Sequence, residues 1–162
     1  MPPNDEDHWM PAWLALVRSY TRLWDQLEAS LRHEHGLSIA RYDVLAQLEM
    51  AGGQVRLSEL AASILLSPSG LSKLVDRMEA SALLTRNPVP SDARSTFATI
   101  TPRGRALVAS ARRSHHQLLQ QTFGSALDNR DIADLTRITR RLAASTPTAR
   151  PDSSARENQV AT

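Results

Sequence analysis

The stretch "LLSPSGLSKLVDRME", residues 65–79, decides the fold of this 162-residue chain. Ser67 and Pro68 predict a helix start, because a serine oxygen caps free N–H groups and a first-turn proline has no needed N–H to lose. Apolar residues then recur at steps of three and four, which predicts one buried helix face: Leu71, Leu74, Val75 and Met78. Gly70 costs such a helix roughly 0.8–1 kcal/mol relative to alanine, so we expect it to permit a close approach.

A shorter helix precedes this one and a hairpin follows it. Ser58 begins the short helix, and a tight turn leads into the helix at 68–82, which predicts a helix-turn-helix. Two extended segments, "LLTRN" and "STFATIT", then flank a tip with the sequence "PSDAR". Pro88 and Pro90 confine the first of these strands to a sheet edge, while "QVRL" at 54–57 is at most a minimal strand. The central part of the chain is therefore predicted to be a winged helix.

Long amphipathic helices are predicted on both sides of this module. Residues 9–31 carry an apolar stripe that includes all three tryptophans, and a further helix is predicted at 39–51. At the other end, we expect helices at about 102–124 and after Asp128. The apolar stripe at 9–31 could equally well pack into the core of this chain or against a second subunit. The fold class is thus mostly α (α+β), a winged helix-turn-helix with N- and C-terminal dimerisation helices in a homodimer.

This pattern divides the chain into two helical segments, a central lobe and two polar tails. The tails contain almost no apolar residues and are expected to be disordered. The predicted boundaries are 8–36 and 103–144 for the helical dimerisation region, 37–102 for the winged helix-turn-helix lobe, and 1–7 and 145–162 for the tails.

Composition excludes several classes of protein. The absence of cysteine excludes disulfides and thiolate metal sites, and no apolar run approaches the ~18 residues of a membrane span. The acidic N-terminus argues against a targeting segment, so we expect a cytoplasmic protein. Residues 55–105 hold seven basic residues against four acidic ones. This excess hints at an anionic partner, although a solvated arginine-rich surface is the commoner explanation.

One spaced motif permits a family resemblance to be stated. It consists of Asp-x-Arg, five further residues, and then a hydrophobic residue followed by Thr-x-x-Gly: Asp92, Arg94, Ile100, Thr101 and Gly104. With this motif, residues 57–107 strongly resemble the MarR (multiple-antibiotic-resistance regulator) family of bacterial transcription factors. The resemblance implies a homodimer on double-stranded DNA, with each recognition helix at 68–82 in a major groove and each wing in the flanking minor groove. We therefore expect a ligand-responsive repressor of a pseudo-palindromic operator with half-sites about 10 bp apart.

The start of the recognition helix carries the first group of expected DNA contacts: Ser67, Ser69, Gly70 and Ser72. Small side chains permit close approach, and bare N–H groups at a helix start favour phosphate. Lys73 and Arg77 lie one turn apart and can reach phosphates or the acceptor edge of guanine. Asp76 between them repels DNA unless a neighbour pairs with it. The alternative is that these residues form only a solvated face.

The hairpin supplies the second group of expected contacts. Arg94 is expected in the minor groove, where a guanidinium meets strongly negative potential. By the resemblance, Asp92 orients Arg94 or another arginine of the helix-turn-helix. Arg86 is either a phosphate contact or merely exposed. Ser95 stands where many relatives carry a second basic residue, which points to fewer phosphate contacts at the wing.

The resemblance also implies an effector pocket between the dimerisation helices and the DNA-binding lobe. Five residues could line it, and all five are equally explained as core: Trp13, Tyr20, Trp24, Tyr42 and His115. An aromatic or phenolic compound bound there would act by favouring a dimer shape that no longer matches successive major grooves.

Neither a metal site nor catalysis is expected. The histidines occur in pairs at 33 and 35 and at 115 and 116, but adjacent helical residues point about 100° apart and no cysteine is present. "SPSG" lacks the flanking glycines of a nucleophile elbow. We expect no enzyme, no cofactor and no metal. The alternative function is a winged helix that binds another protein and has no specific DNA site.

Overall fold

A computed structural model describes residues 7–64, 67–89 and 92–145. Six α-helices, three strands and one short 3-10 helix follow one another in this part of the chain. They are α1 (Met10–His35), α2 (Ile39–Met50), β1 (Gln54–Arg56), α3 (Leu57–Ser63), α4 (Pro68–Ala80), β2 (Leu84–Val89), β3 (Asp92–Ile100), α5 (Pro102–Thr122), the 3-10 helix (Gly124–Ala126) and α6 (Asn129–Ser145). The predicted order is confirmed. Most of the two predicted tails lies outside the described residues.

The helix ends follow the capping chemistry of the sequence, with one correction. Ser67 and Thr101 each accept a hydrogen bond from the N–H three residues on, at 3.1 and 3.0 Å. The apolar stripe at 9–31 lies within α1, which ends at His35 because Gly36 adopts φ 63° and its N–H bonds back to the helix. The predicted start of the short helix at Ser58 is wrong, since α3 begins one residue earlier without a side-chain cap.

The three strands form an antiparallel sheet in the order β1-β3-β2. As predicted, the proline-containing strand lies at an edge, where Pro88 need not donate a ladder hydrogen bond. β2 runs through Pro88 to Val89 and β3 begins at Asp92. The strands therefore extend further than the two predicted segments, and much of the expected "PSDAR" tip belongs to β3. The register pairs Arg86 with Ala98, which is fully buried. Arg86 consequently projects from the inner face of the sheet, toward the helices.

A tight joint connects the end of α4 to the start of α5 and explains half of the spaced motif. The hydroxyl of Thr101 donates to the carbonyl of Ala82 at 2.7 Å while accepting from the N–H of Gly104. A Cβ atom on Gly104 would lie 2.2 Å from the carbonyl oxygen of Leu83. Only glycine fits at this point, and Ile100 is buried beside it. The hydrophobic-Thr-x-x-Gly spacing is therefore required by packing.

One core holds the lobe together. Its buried side chains come from the end of α1, from α2 to β3 and from the first half of α5. In contrast, no residue of α6 is buried, and the tryptophans at 9, 13 and 24 are each at least 39% exposed. No helix in the described part of the chain is long and apolar enough to cross a membrane. The division into lobe and dimerisation region stays a prediction.

Candidate DNA-binding interface

The two faces of α4 differ completely in burial. One face packs into the lobe core and is at most 5% exposed: Leu71, Leu74, Val75 and Met78. The other face is open to solvent and carries Ser69, Ser72, Lys73, Asp76 and Arg77. Since the core fixes the helix from one side only, its polar face is presented as a rigid surface. This arrangement matches the predicted recognition helix, although α4 ends at Ala80 and not at residue 82.

The first turn of α4 is more fully hydrogen-bonded than the sequence suggested. The hydroxyl of Ser67 accepts from the N–H of Gly70 at 3.1 Å and lies 3.2 Å from the hydroxyl of Ser69. Pro68 has no N–H, and Leu71 donates to the carbonyl of Ser67. The expectation of several bare N–H groups is therefore wrong, because the cap uses the donor of Gly70. The N–H of Ser69 is the remaining first-turn donor.

Gly70 also has a local explanation. A Cβ atom at this position would lie 3.0 Å from the Ser67 hydroxyl, which is tighter than an ordinary contact. The missing side chain thus leaves room for the capping oxygen. The proposed role of Gly70 in close approach to DNA stays a prediction beside this packing reason.

Arg86 joins the wing to α4. Its Nη1 atom lies 2.7 Å from Asp76 and 2.9 Å from Glu79, and its Nη2 donates to the Ser72 carbonyl at 3.3 Å. Burial alone lowers the pKa of Arg86, but the hydrogen bonds that Arg86 donates to Glu79 and Asp76 outweigh that effect and raise the pKa. Arg86 is therefore not the exposed strand arginine considered above, because its guanidinium is held by contacts within the lobe. The same contacts supply the partner that Asp76 needs beside DNA.

The wing places the two motif residues at the start of β3. Asp92 and Arg94 lie on this strand, and their side chains fall outside the described part of the structure. The roles expected for them stay predictions. Further along the wing, the guanidinium of Arg56 lies 5.7 Å from the ring centre of Phe97, with which it is paired across the sheet. This cation–π contact stiffens the base of the hairpin.

The expected effector residues fall into two aromatic pairs and one separate tryptophan. The rings of Tyr42 and His115 lie 4.8 Å apart, and those of Tyr20 and Trp24 lie 5.6 Å apart. Tyr42 is buried, whereas Trp13, Tyr20 and Trp24 are exposed. The core explanation is thus correct for Tyr42 and wrong for the three residues of α1 within one chain. A groove of about 780 Å³ on the first turns of α1 contains none of the five.

Burial changes the acid–base properties of the inner pair. Desolvation raises the pKa of the Tyr42 hydroxyl. Desolvation, with the nearby charge of His116, lowers the pKa of His115. Both rings are therefore held in their neutral forms near neutral pH, which suits an apolar contact between α2 and α5.

The histidine pairs do not converge. His35 bonds to Ser114 at 2.9 Å, and His115 packs on Tyr42. Across residues 7–64, 67–89 and 92–145, no cluster of three or more histidine, aspartate or glutamate side chains could hold a metal ion.

One further arginine of the lobe is not singled out by any sequence pattern. Arg41 lies in the first turn of α2, and its Nε atom is buried without a hydrogen-bond partner among the described residues. Desolvation lowers the pKa of Arg41, and the charge of Arg77 adds to that effect. The burial of the Nε atom depends on how α2 packs in the lobe, which no pattern in the sequence signals.

Comparison with known proteins agrees with this geometry. The sequence profile of the MarR family matches residues 35–95, which include α2, α3, α4 and most of the wing. The HTH-type transcriptional regulator MhqR of Bacillus subtilis is 29% identical over 130 residues, which is 80% of this chain and 88% of MhqR. The chain belongs to the MarR family. Its relatives are transcriptional regulators and not enzymes.

Two solved structures extend the match over the whole fold of this MarR-family chain. Sco3205, a MarR-family regulator from Streptomyces coelicolor in complex with DNA, superimposes with a TM-score of 0.82 at 26% identity, covering 90% of this chain and 91% of Sco3205. BpsR of Bordetella bronchiseptica, whose DNA binding is regulated by 6-hydroxynicotinic acid, gives a TM-score of 0.71 at 25% identity, covering 82% of this chain and 98% of BpsR.

Proposed function

We propose that this MarR-family regulator binds a pseudo-palindromic operator in double-stranded DNA as a homodimer and acts as a ligand-responsive repressor. Each α4 would enter a major groove and each wing the adjacent minor groove. The two half-sites would lie about 10 bp apart, one turn of the double helix. The relationship to Sco3205, which has been solved with DNA, supports this proposal.

The one-sided burial of α4 carries the proposal. A helix needs one free face to enter a groove, and the free face here bears small hydroxyl side chains at its start and two cations, Lys73 and Arg77, one turn apart. Asp76, the anion on this face, is paired with Arg86 at 2.7 Å. The face offered to DNA is therefore cationic in effect.

Exposed apolar surface supports the homodimer. α6 is strongly amphipathic but buries nothing, and its exposed residues include Ile132, Ile138 and Leu142, at 42–48% exposure. The first turns of α1 expose tryptophan, leucine and valine side chains in the same way. Contiguous apolar surface of this kind marks a site of association. A second copy would cover both helices and bring two recognition helices into one molecule.

Lys73 and Arg94 provide the test of DNA binding. A duplex would be recovered by in vitro selection with the wild-type protein, and its affinity measured by fluorescence anisotropy. Lys73→Gln should weaken binding about tenfold, as expected for loss of one groove contact. Arg94→Ala should weaken it by a similar factor if it enters the minor groove. Arg113→Gln, on the exposed side of α5, is the matched control and should bind normally.

Two results would contradict the proposed DNA contacts. If neither variant changes the affinity, or if wild-type binding does not fall as salt rises, the groove contacts are absent. A flat salt response would favour the alternative, a winged helix that binds another protein.

We further propose that a small aromatic or phenolic effector binds beside Tyr42 and His115. BpsR, which responds to 6-hydroxynicotinic acid, is the related precedent. The neutral ring pair between α2 and α5 offers an aromatic surface with hydroxyl and imidazole groups at its edge. Trp24, Tyr20 and Trp13 would close the site only in the dimer, since all three are exposed in one chain.

Competition with bound DNA tests the effector site. 6-Hydroxynicotinic acid and a series of simple phenols would be titrated into the protein–DNA complex. An active compound should release DNA from the wild type at lower concentration than from Tyr42→Phe, which keeps the ring and loses the hydroxyl. Equal release from both proteins would exclude Tyr42 as a ligand contact. A regulator of bacterial type acts on the chromosome, so we also place the protein in the cytoplasm.

A further inference from the structure

Asp76 lies near the centre of the exposed face of α4. With 3.6 residues per turn, successive side chains are about 100° apart around the helix axis. Measured from the middle of the buried face, Asp76 points about 150° away, whereas Arg77 points only about 110° away and lies at the margin. The Asp76 side chain is 60% exposed. When a recognition helix enters a groove, the centre of its exposed face meets the base edges and its margins meet the phosphates.

Arg86 holds the Asp76 carboxylate in one orientation. The Nη1 atom of Arg86 lies 2.7 Å from the Oδ1 atom of Asp76. The guanidinium is itself fixed by Glu79 at 2.9 Å and by the carbonyl of Ser72 at 3.3 Å. A carboxylate only accepts hydrogen bonds, so the pairing of Oδ1 leaves Oδ2 as an oriented acceptor on an exposed side chain.

The negative charge of this acceptor limits what it can contact on DNA. Phosphates are themselves anionic, so they repel a carboxylate. In the major groove, the base edges offer two kinds of donor, the N4 amino group of cytosine and the N6 amino group of adenine. The adenine donor lies beside the N7 acceptor, which disfavours a carboxylate, whereas cytosine presents no acceptor beside its donor. Cytosine is therefore the base that an oriented carboxylate fits best.

We propose that Asp76 determines sequence specificity by accepting a hydrogen bond from the N4 amino group of a cytosine in each half-site of the operator. This inference rests on the proposed DNA binding and adds the identity of one base. Arg86 is the positioning residue, because it orients the carboxylate and offsets its charge without contacting the base. The anion on the exposed face of α4 thus contributes to specificity.

Base preference, measured position by position, tests this contact. The duplex selected with the wild-type protein would be changed to each of the four bases at every position, and affinities measured by fluorescence anisotropy. The wild type should prefer cytosine about tenfold at one position of each half-site. Asp76→Asn should transfer that preference to adenine, because an amide can accept from N6 and donate to N7. Glu79→Gln is the matched control, since it alters the other carboxylate bound to Arg86 and should leave base preference unchanged.

A modified base tests the same contact without a substitution in the protein. N4-methylcytosine still pairs with guanine, but its methyl group occupies the position of the amino hydrogen that projects into the major groove. With this base at the preferred cytosine, the affinity of the wild type should fall about tenfold. The affinity of Asp76→Ala, which has no acceptor there, should change little.

Two results would overturn the proposal. One is an equal effect of Asp76→Asn on all four bases, because a purely structural Asp76–Arg86 pair changes affinity without changing base preference. The other is a wild-type affinity that N4-methylcytosine leaves unchanged at every cytosine of the selected duplex. If selection with the wild type recovers no specific duplex at all, the proposed function fails instead.

Discussion

The lobe and the outer helices, by which we mean α6 and the first turns of α1, differ in how much apolar surface they bury. From α2 to β3, apolar side chains close over one another, and Val44, Leu45, Leu48, Leu60, Val75, Met78, Leu84 and Ala98 are completely buried. In α6, the same residue types recur at helical spacing and none is buried. The periodic pattern alone does not distinguish the two cases. The difference is whether another element of the same chain packs against the apolar face of the helix.

This contrast assigns the two regions different sources of stability. The lobe gains its burial within one chain, so its folding should depend little on protein concentration. In the proposed homodimer, the outer helices would gain theirs only on association, so their stability should depend on concentration by mass action. A folded monomer would then be complete at the lobe and incomplete at the outer helices.

The largest expected effect comes from placing a charge on the open face of α6. Ile138→Glu removes a side chain that a symmetric interface buries twice. Burial of one isoleucine contributes about 1.5–3 kcal/mol, so dimer affinity should fall on the order of 100-fold or more. Sedimentation equilibrium measures the change. Met50→Glu, at a residue 78% exposed on the lobe, is the control and should leave the dimer intact. An unaffected Ile138→Glu dimer would place the interface elsewhere.

Destabilising the lobe requires a substitution within its packed interior. Gly104→Ala pushes a Cβ atom against the Leu83 carbonyl and should lower the free energy of unfolding by about 3 kcal/mol. Urea denaturation followed by circular dichroism measures this. Gly124→Ala is the matched control, since its Cβ would meet nothing closer than 3.8 Å. A Gly104→Ala protein as stable as the control would show that the α4–α5 joint is not tightly packed.

A smaller effect is expected where the two regions meet, at His115. Its folded pKa is lowered, so the unfolded chain takes up a proton first as pH falls through the ordinary histidine value of ~6.5. Wild-type stability should therefore decrease from pH 7.5 toward pH 5.5. The melting temperature of His115→Gln should decrease less over that range, whereas His33→Gln, an exposed control, should follow the wild type. Parallel curves for all three would show that His115 is not desolvated.

The elements that follow local rules could be predicted from the sequence. Ser67 and Thr101 cap helices as expected, and Pro88 lies on an edge strand, because these effects act over three or four residues. The recognition helix and its exposed residues were also predicted, since a period near 3.6 separates its two faces. The family resemblance rested on the wing motif, and the fold supplies a packing reason for its second half.

Contacts between elements could not be predicted in the same way. The role of Arg86 depends on the β2–β3 register, which places its side chain toward α4, and strand register is not visible in a short polar segment. The burial of the Arg41 Nε atom depends on helix packing. Glu28 closes the start of α2 from another helix, a contact eleven residues away along the chain. Helical periodicity also does not reveal that the α1 aromatics lie on a part of the helix that stays exposed within one chain.

The two hydrogen bonds of the Thr101 hydroxyl connect the end of α4 to the start of α5. This hydroxyl holds the carbonyl after α4 and the first turn of α5 together, so the two helices cannot change their angle independently. α5 has 21 residues and is about 30 Å long, which places its far end near the outer helices. In the proposed homodimer, a tilt applied there would be passed on to the recognition helix. The change of angle between the two lobes would then arise at the contact of the outer helices and not at the Thr101 joint.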